Sequence, residues 1–233
     1  MRHYVGPEGK TEFLKTDGDL PLIVDVLRAS STIIAVLARG AEKVIPVEDE
    51  TEALRLGKDL KAITIGERHG IKIEGFDHGN SPTEMLGLDL EGKTVVITTT
   101  NGTRVMVEGG IIASTLNAGV VADMIRSKPH AYLLASGAPL KSDEDRSAAR
   151  LIEMIASSLA DGKNIDAAVL SASSSPEGIT ALDGIRTSAS GQKLIAYGYG
   201  QDVEMICTSI NSYPLVPVYH EGTIRASARQ KQY

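Results

Sequence analysis

Asp25 stands three residues before Arg28, with Ser30 and Ser31 just beyond, where the apolar stretch of "PLIVDV" gives way to a helical pattern. A carboxylate is a hard oxygen ligand for divalent cations, whereas a guanidinium, hydroxyls and the free N–H groups of a helix start suit an oxyanion. Together they would serve a cation and the anion it activates. The same mixture recurs at other strand ends: Glu67 and Arg68 in "GERHG", Asn101, Thr103 and Arg104 in "TTTNGTR", and Ser136 in "ASG". If these ends converge, the corner holds carboxylates for Mg²⁺ and arginines for a phosphate ester.

Each element also has a plainer reading. Asp25 can cap the helix that follows it, with Arg28 as its salt-bridge partner. The run Asp143, Glu144, Asp145 favours the positive end of a helix without any chemistry, with Ser142 as its cap. Asp145 nevertheless falls in line with Ile152, Ala156 and Leu159, so it can point from the buried face toward a site. In "GFDHGNSPTEML", Ser81, Pro82 and Glu84 read as a helix start, and Asn80 as part of the turn before it. His69 and His78 read as solvated loop residues rather than zinc ligands. Cys207 reads as buried and inert.

The elements that must position these groups alternate in period. "PLIVDV", "KVIPV", "AITIGE", "TVVITTT" and "AYLLAS" read as buried strands, separated by segments of helical spacing, which is the pattern of an α/β fold. The first helix carries Ile33, Ile34, Val36 and Leu37, with Ser30 or Ser31 as cap and Gly40 as stop. "KVIPV" is placed near a sheet edge because Pro46 lacks a ladder donor. Asp49 with Glu52 three residues on marks another helix start, "SASSSPEG" a helix end followed by a new cap, and "YPLVPVY" a final strand. In such a sheet the ligand site lies beyond the carboxyl ends of the strands.

Composition narrows the function. The chain has 233 residues, 42% of them hydrophobic, and its mean hydropathy is −0.04; both suit a single domain spanning residues 1–233. A net charge of −6 with 4% aromatics and no Trp argues against nucleic acid. A single cysteine excludes an internal disulfide framework, and no uninterrupted apolar run of about 20 residues supports a membrane span. The expectation is a cytoplasmic protein with a small anionic ligand, in which a homo-oligomer stays open.

Four blocks carry a more specific signal. "VDVLRASSTIIAVLARGA", "GERHGIKIEGFDHGNSP", "TTTNGTR" and "SDEDRSAARL" resemble, in order and approximate spacing, segments of the 2-phosphosulfolactate phosphatase family, often called ComB, and the likeness continues through "SASGQKLIAYGYGQDVEMICTSINSYPLVPV". The resemblance implies a three-layer α/β/α sandwich around a mostly parallel or mixed sheet. It also implies a Mg²⁺-dependent phosphatase converting 2-phospho-3-sulfolactate to 3-sulfolactate and phosphate on the route to coenzyme M.

Combined with the residue chemistry, this assigns Asp25, Glu67 and Asp145 to the metal and Asp25, Arg28 and Asp145 to catalysis. Substrate contacts fall to Arg28, Ser30, Ser31, Arg68, Asn80, Asn101, Thr103 and Arg104. Direct attack by water is the preferred route, with an aspartyl phosphate on Asp25 as the alternative. Two further readings remain: a phosphatase for another small anionic phosphoester, and a non-catalytic anion-binding domain.

Overall fold

The structure, a computed structural model, describes residues 2–16, 20–128, 131–136 and 143–227. Its first half runs β1 (Arg2–Val5), α1 (Gly6–Phe13), β2 (Leu20–Val24), α2 (Ala29–Ala38), β3 (Lys43–Pro46), α3 (Glu50–Leu60), β4 (Ile63–Arg68), β5 (Ile71–Lys72) and α4 (Pro82–Leu86). It continues through β6 (Thr94–Thr98), β7 (Ile111–Ala113), α5 (Ala118–Ile125), β8 (Ala131–Ala135) and α6 (Asp143–Ala160). A helical segment follows, α7 (Ile165–Ser173), α8 (Pro176–Thr187), α9 (Ala189–Ala196) and α10 (Gly200–Thr208), before the hairpin β9 (Pro217–His220) and β10 (Thr223–Ala226).

The ten strands form one mixed sheet in the order β1-β8-β2-β7-β9-β10-β3-β6-β4-β5. Two parallel groups, β1-β8-β2-β7 and β3-β6-β4, are joined through the antiparallel β9–β10 hairpin. The central strands are apolar on both faces because helices cover both. On one side Leu22, Val24, Ile111 and Leu133 pack with Ile152 and Ile155 of α6. On the other, Ile23, Ile112 and Leu134 from the first group and Val44, Ile65, Val95 and Ile97 from the second meet Ile33 and Val36 of α2. Helix α2 is buried from Ala29 through Leu37, since both groups of strands enclose it. The outer face of the second group is closed by α3, whose Ala53 packs near Val96. This is a three-layer α/β/α sandwich.

Local signals hold where they are self-contained. Asp49 accepts from the Glu52 N–H at 2.8 Å, Ser81 from Glu84 at 3.3 Å and Ser175 from Gly178 at 3.0 Å, so all three cap the helices expected of them. The cap proposed for Ser142 lies outside the described residues. No helix among the described residues is long and apolar enough to cross a membrane.

Three expectations change. Helix α2 has Arg28 at its cap position, with no side-chain cap bond. Ser30 and Ser31 lie inside its first turn, and their hydroxyls serve strand-end carbonyls instead. Strand β3 is interior, between β10 and β6; Pro46 is tolerated because β10 pairs with β3 only at Val44, so no ladder donor is required of it. β6 is followed by a single 3₁₀ turn over Gly102–Val105 rather than an α-helix, and "YPLVPVY" supplies one arm of the closing hairpin.

Candidate active site

The carboxyl ends of β2, β4 and β8 and the segment after β6 meet at a cleft of about 320 Å³. Asp25, Arg28, Glu67, Asn80, Asn101 and Ser136 all line it, from five separate stretches of chain. Two β-strand groups therefore contribute to one rim, as the site rule for open α/β sheets requires.

Asp25 follows directly after β2. One oxygen receives a long contact of 3.4 Å from the Ala29 N–H, which makes it a weak brace for α2. Its other oxygen faces the "NGT" turn so closely that a Cβ on Gly102 would sit 2.7 Å from it and 2.6 Å from Ala29 Cβ. Only glycine lets that backbone approach the carboxylate.

Behind Asp25 lies Asp145, in the first turn of α6. It accepts from the Val26 N–H at 2.8 Å and from the Ser136 N–H at 3.1 Å, tying the ends of β2 and β8 together. Burial lifts the Asp25 carboxyl from 3.8 to about 6, opposed by a hydrogen bond from Ser136 and reinforced by the charge of Glu67. Asp145 is raised well above the usual carboxylate range by burial, then by Asp25 and Glu144. The two acids share a buried space that holds too little positive charge.

Glu67 is engaged differently. Its oxygens accept from the Thr100 N–H at 2.7 Å and the Gly70 N–H at 2.6 Å, with the Thr100 hydroxyl at 3.1 Å. These short charge-assisted bonds hold the β4–β5 turn against the "TTTNGTR" segment. His69 and Gly70 occupy that turn with φ of 56° and 91°, and His69 lines the cleft.

Arg28 does not pair with Asp25. Its Nη1 donates to Asp202 at 2.8 Å, with side chains only 2% and 1% exposed. Its Nη2 donates to the Gly70 carbonyl at 3.1 Å, and its guanidinium lies 4.0 Å over the Tyr199 ring. Asp202 also accepts from the Ser81 hydroxyl at 2.7 Å, anchoring the start of α4. The peptide between Leu27 and Arg28 is cis.

The remaining expected residues fall into distinct places. Ser30 Oγ accepts from the Asp25 N–H at 2.9 Å and donates to the Ile23 carbonyl. Ser31 Oγ donates to the Val26 carbonyl at 2.8 Å. Thr103 bonds to Thr99. All three are buried and outside the cleft lining; they shape the turns that present Asp25 and the "NGT" backbone.

Arg68 braces the rear of its strand through Glu50, the Glu48 carbonyl and Thr98. Arg104 is exposed and does not line the cleft. Asn80 does line it, 3% exposed, and its Oδ1 has no hydrogen-bond partner among the described residues. Such an acceptor beside a cleft is costly unless a ligand donor or cation meets it.

Sequence reasoning overlooked Glu144, Asp202, Ser190 and Lys193. Glu144 lines the cleft and accepts from Ser190 at 2.7 Å; its only sequence signal is its place beside Asp145. Ser190 and Lys193 reach the cleft from α9, where no local pattern marks them.

Among the described residues, no three His, Cys, Asp or Glu side chains are grouped to hold a metal by themselves. Asp25 and Asp145 are the carboxylates whose ionised forms lack compensation, and Mg²⁺ commonly takes only one or two carboxylates while keeping several waters. The donor chemistry of this pair fits such an ion; Asp25 lines the cleft, whereas Asp145 lies behind it and, like Glu67, already accepts three hydrogen bonds.

The chain matches the family described as 2-phosphosulpholactate phosphatase over residues 7–222. Three similar proteins are each called a probable 2-phosphosulfolactate phosphatase. That of Carboxydothermus hydrogenoformans is 39% identical over 225 residues, covering 90% of this chain and 90% of its own. Those of Thermotoga petrophila and Thermoplasma volcanium are 36% and 32% identical over 209 residues each, covering 86% and 87% of this chain and 89% and 90% of their own. With the family pattern extending over nearly its whole length, this chain belongs to the 2-phosphosulfolactate phosphatase family.

Proposed function

We propose that the protein hydrolyses the phosphomonoester of 2-phospho-3-sulfolactate with Mg²⁺, giving 3-sulfolactate and phosphate, as a step toward coenzyme M. The observation that carries this reading is the charge balance of the cleft. Among the described residues, Asp25, Glu67 and Glu144 line it against two cations, Arg28 and Lys193, and Arg28 is already paired with Asp202. A polyanionic ester would be repelled from such a wall unless a divalent ion entered with it.

Asp25 and Asp145 are the residues that would hold the ion. When bound, Mg²⁺ supplies neutralisation of phosphoryl charge and a more acidic water. Arg28, fixed by Asp202 and Tyr199, presents its remaining N–H donors to the phosphoryl oxygens, and positioning of this kind makes up most of phosphoryl-transfer catalysis. Water attacks phosphorus as the bond to the C2 oxygen breaks; the proton lost by water passes to the Asp25/Asp145 pair and is returned to the departing C2 oxygen, so that 3-sulfolactate leaves as the alcohol. Before an ion binds, burial lifts the Asp25 carboxyl to about 6; a bound cation would lower it again, so its part in proton transfer rests on its place in the cleft lining.

The test is phosphate release from 2-phosphosulfolactate beside a panel of small phosphomonoesters, with and without EDTA. Release that is fastest with 2-phosphosulfolactate and stops in EDTA is expected. Unchanged release in EDTA would remove the metal from the reading, and faster turnover of another ester would reassign the substrate.

A further inference from the structure

Helix α9 forms one wall of the cleft, contributing Ser190, Lys193 and Leu194, and its Ser190 donates to Glu144 at 2.7 Å. It is seated against the β4–β5 turn, since a Cβ on Gly70 would lie 3.5 Å from the Tyr197 ring and 3.8 Å from Leu194. Lys193 is held 5.5 Å from the Tyr197 ring centroid, an arrangement that steadies an ammonium without cancelling its charge.

The two cations that line the cleft among the described residues thus differ in kind. Arg28 is buried and neutralised by Asp202. Lys193 is exposed at the mouth, and among the described residues no carboxylate pairs with it within salt-bridge distance. Arg104, the other cation expected to hold the ester, lies outside.

The substrate class of the proposed reaction carries anionic groups that are not transferred. They must sit away from the acidic wall, because like charges there would oppose binding. Resting on that reading, we propose that Lys193 is the specificity-determining residue of the cleft, receiving the untransferred carboxylate or sulfonate while the phosphoryl group faces Asp25 and Arg28. A single ammonium at the mouth rewards a second charge on the ligand and does nothing for a phosphoester with a neutral tail.

Binding of 3-sulfolactate, which has the remote anions and no phosphoryl group, tests this without turnover. Calorimetry in Mg²⁺ buffer compares wild type, Lys193→Met and Lys193→Arg, with inorganic phosphate as the second ligand. The expected result is an affinity for 3-sulfolactate at least tenfold weaker in Lys193→Met and largely restored in Lys193→Arg, with phosphate binding within twofold throughout.

In turnover, KM for 2-phosphosulfolactate should rise at least tenfold in Lys193→Met, with kcat within threefold and KM for a neutral-tailed phosphomonoester unchanged. Equal 3-sulfolactate affinity in wild type and Lys193→Met, or an equal loss for both ligands, would overturn the proposal. Lys193-dependent binding of 3-sulfolactate by a protein that does not hydrolyse 2-phosphosulfolactate would sustain the subsite and refute the proposed reaction, so the two claims fail separately.

Discussion

Arg28 and Asp202, 174 residues apart in the chain, meet in an ion pair of 2.8 Å that solvent barely reaches. The pair joins the turn after β2 to α10, and through Ser81 it also fixes the start of α4. Its worth lies in what happens when half of it is missing, because an unpaired charge at such a depth is far more costly than no charge.

Asp202→Ala is therefore expected to lower stability by about 3–5 kcal/mol and to abolish activity. Replacing both partners, Arg28→Met with Asp202→Leu, should recover part of the stability, since Ser81 and Thr83 still lose their acceptor, and none of the activity. Urea unfolding of the three variants, read beside turnover, checks both statements. A single Asp202→Ala variant as stable as wild type would show that the ion pair is not what holds the wall.

Asp25 carries the opposite balance. Its folded-state pKa of about 6 exceeds the ordinary 3.8, so the stability linked to its protonation is full below pH 3.8 and is lost as pH rises through about 6. Asp25→Asn should abolish turnover yet raise stability in EDTA by on the order of 1–3 kcal/mol above pH 6. That advantage should shrink steadily below pH 6 and vanish near pH 3.8. Thermal melts across this range supply the measurement, and a destabilised variant at pH 8 would contradict the account.

Mg²⁺ should relieve the same repulsion. Millimolar Mg²⁺ is expected to raise the melting temperature of wild type, following mass action on the folded state, and to have little effect on Asp25→Asn. The shift is read without substrate, so it isolates ion binding from catalysis.

Gly102→Ala would drive a methyl group against both Asp25 and Ala29. Since the obstacles are a carboxylate held in a turn and a helix that is buried throughout, the "NGT" backbone has to move. A loss of about 1–3 kcal/mol is expected, with kcat falling more than tenfold. Retained kcat would mean that the close approach has no part in the reaction.

Arg104→Ala offers a contrast. An exposed residue outside the cleft should leave kcat and KM within twofold of wild type, and a larger change in steady-state kinetics would return Arg104 to the site.

From the sequence alone, the alternation of strands and helices was legible, because strands covered on both faces must be apolar and helix starts are marked by bonds reaching only two or three residues. Asp49, Ser81 and Ser175 were legible for that reason, and so was the convergence of the strand ends, where Asp25, Glu67, Asn101 and Ser136 line one cleft. The partners of individual charges were not. Whether Arg28 turns toward Asp25 or Asp202, whether Glu67 keeps its oxygens for amides, and whether Arg104 faces the cleft or the solvent all depend on packing between elements distant in the chain. Asp202 and Lys193 carry no local mark; Lys193 lines the cleft and Asp202 holds Arg28 beside it because α9 and α10 fold back over the turns that follow β2 and β4. Tertiary structure decided these matters, since a side chain's charge can be read from its identity but its compensation depends on whatever the fold places beside it.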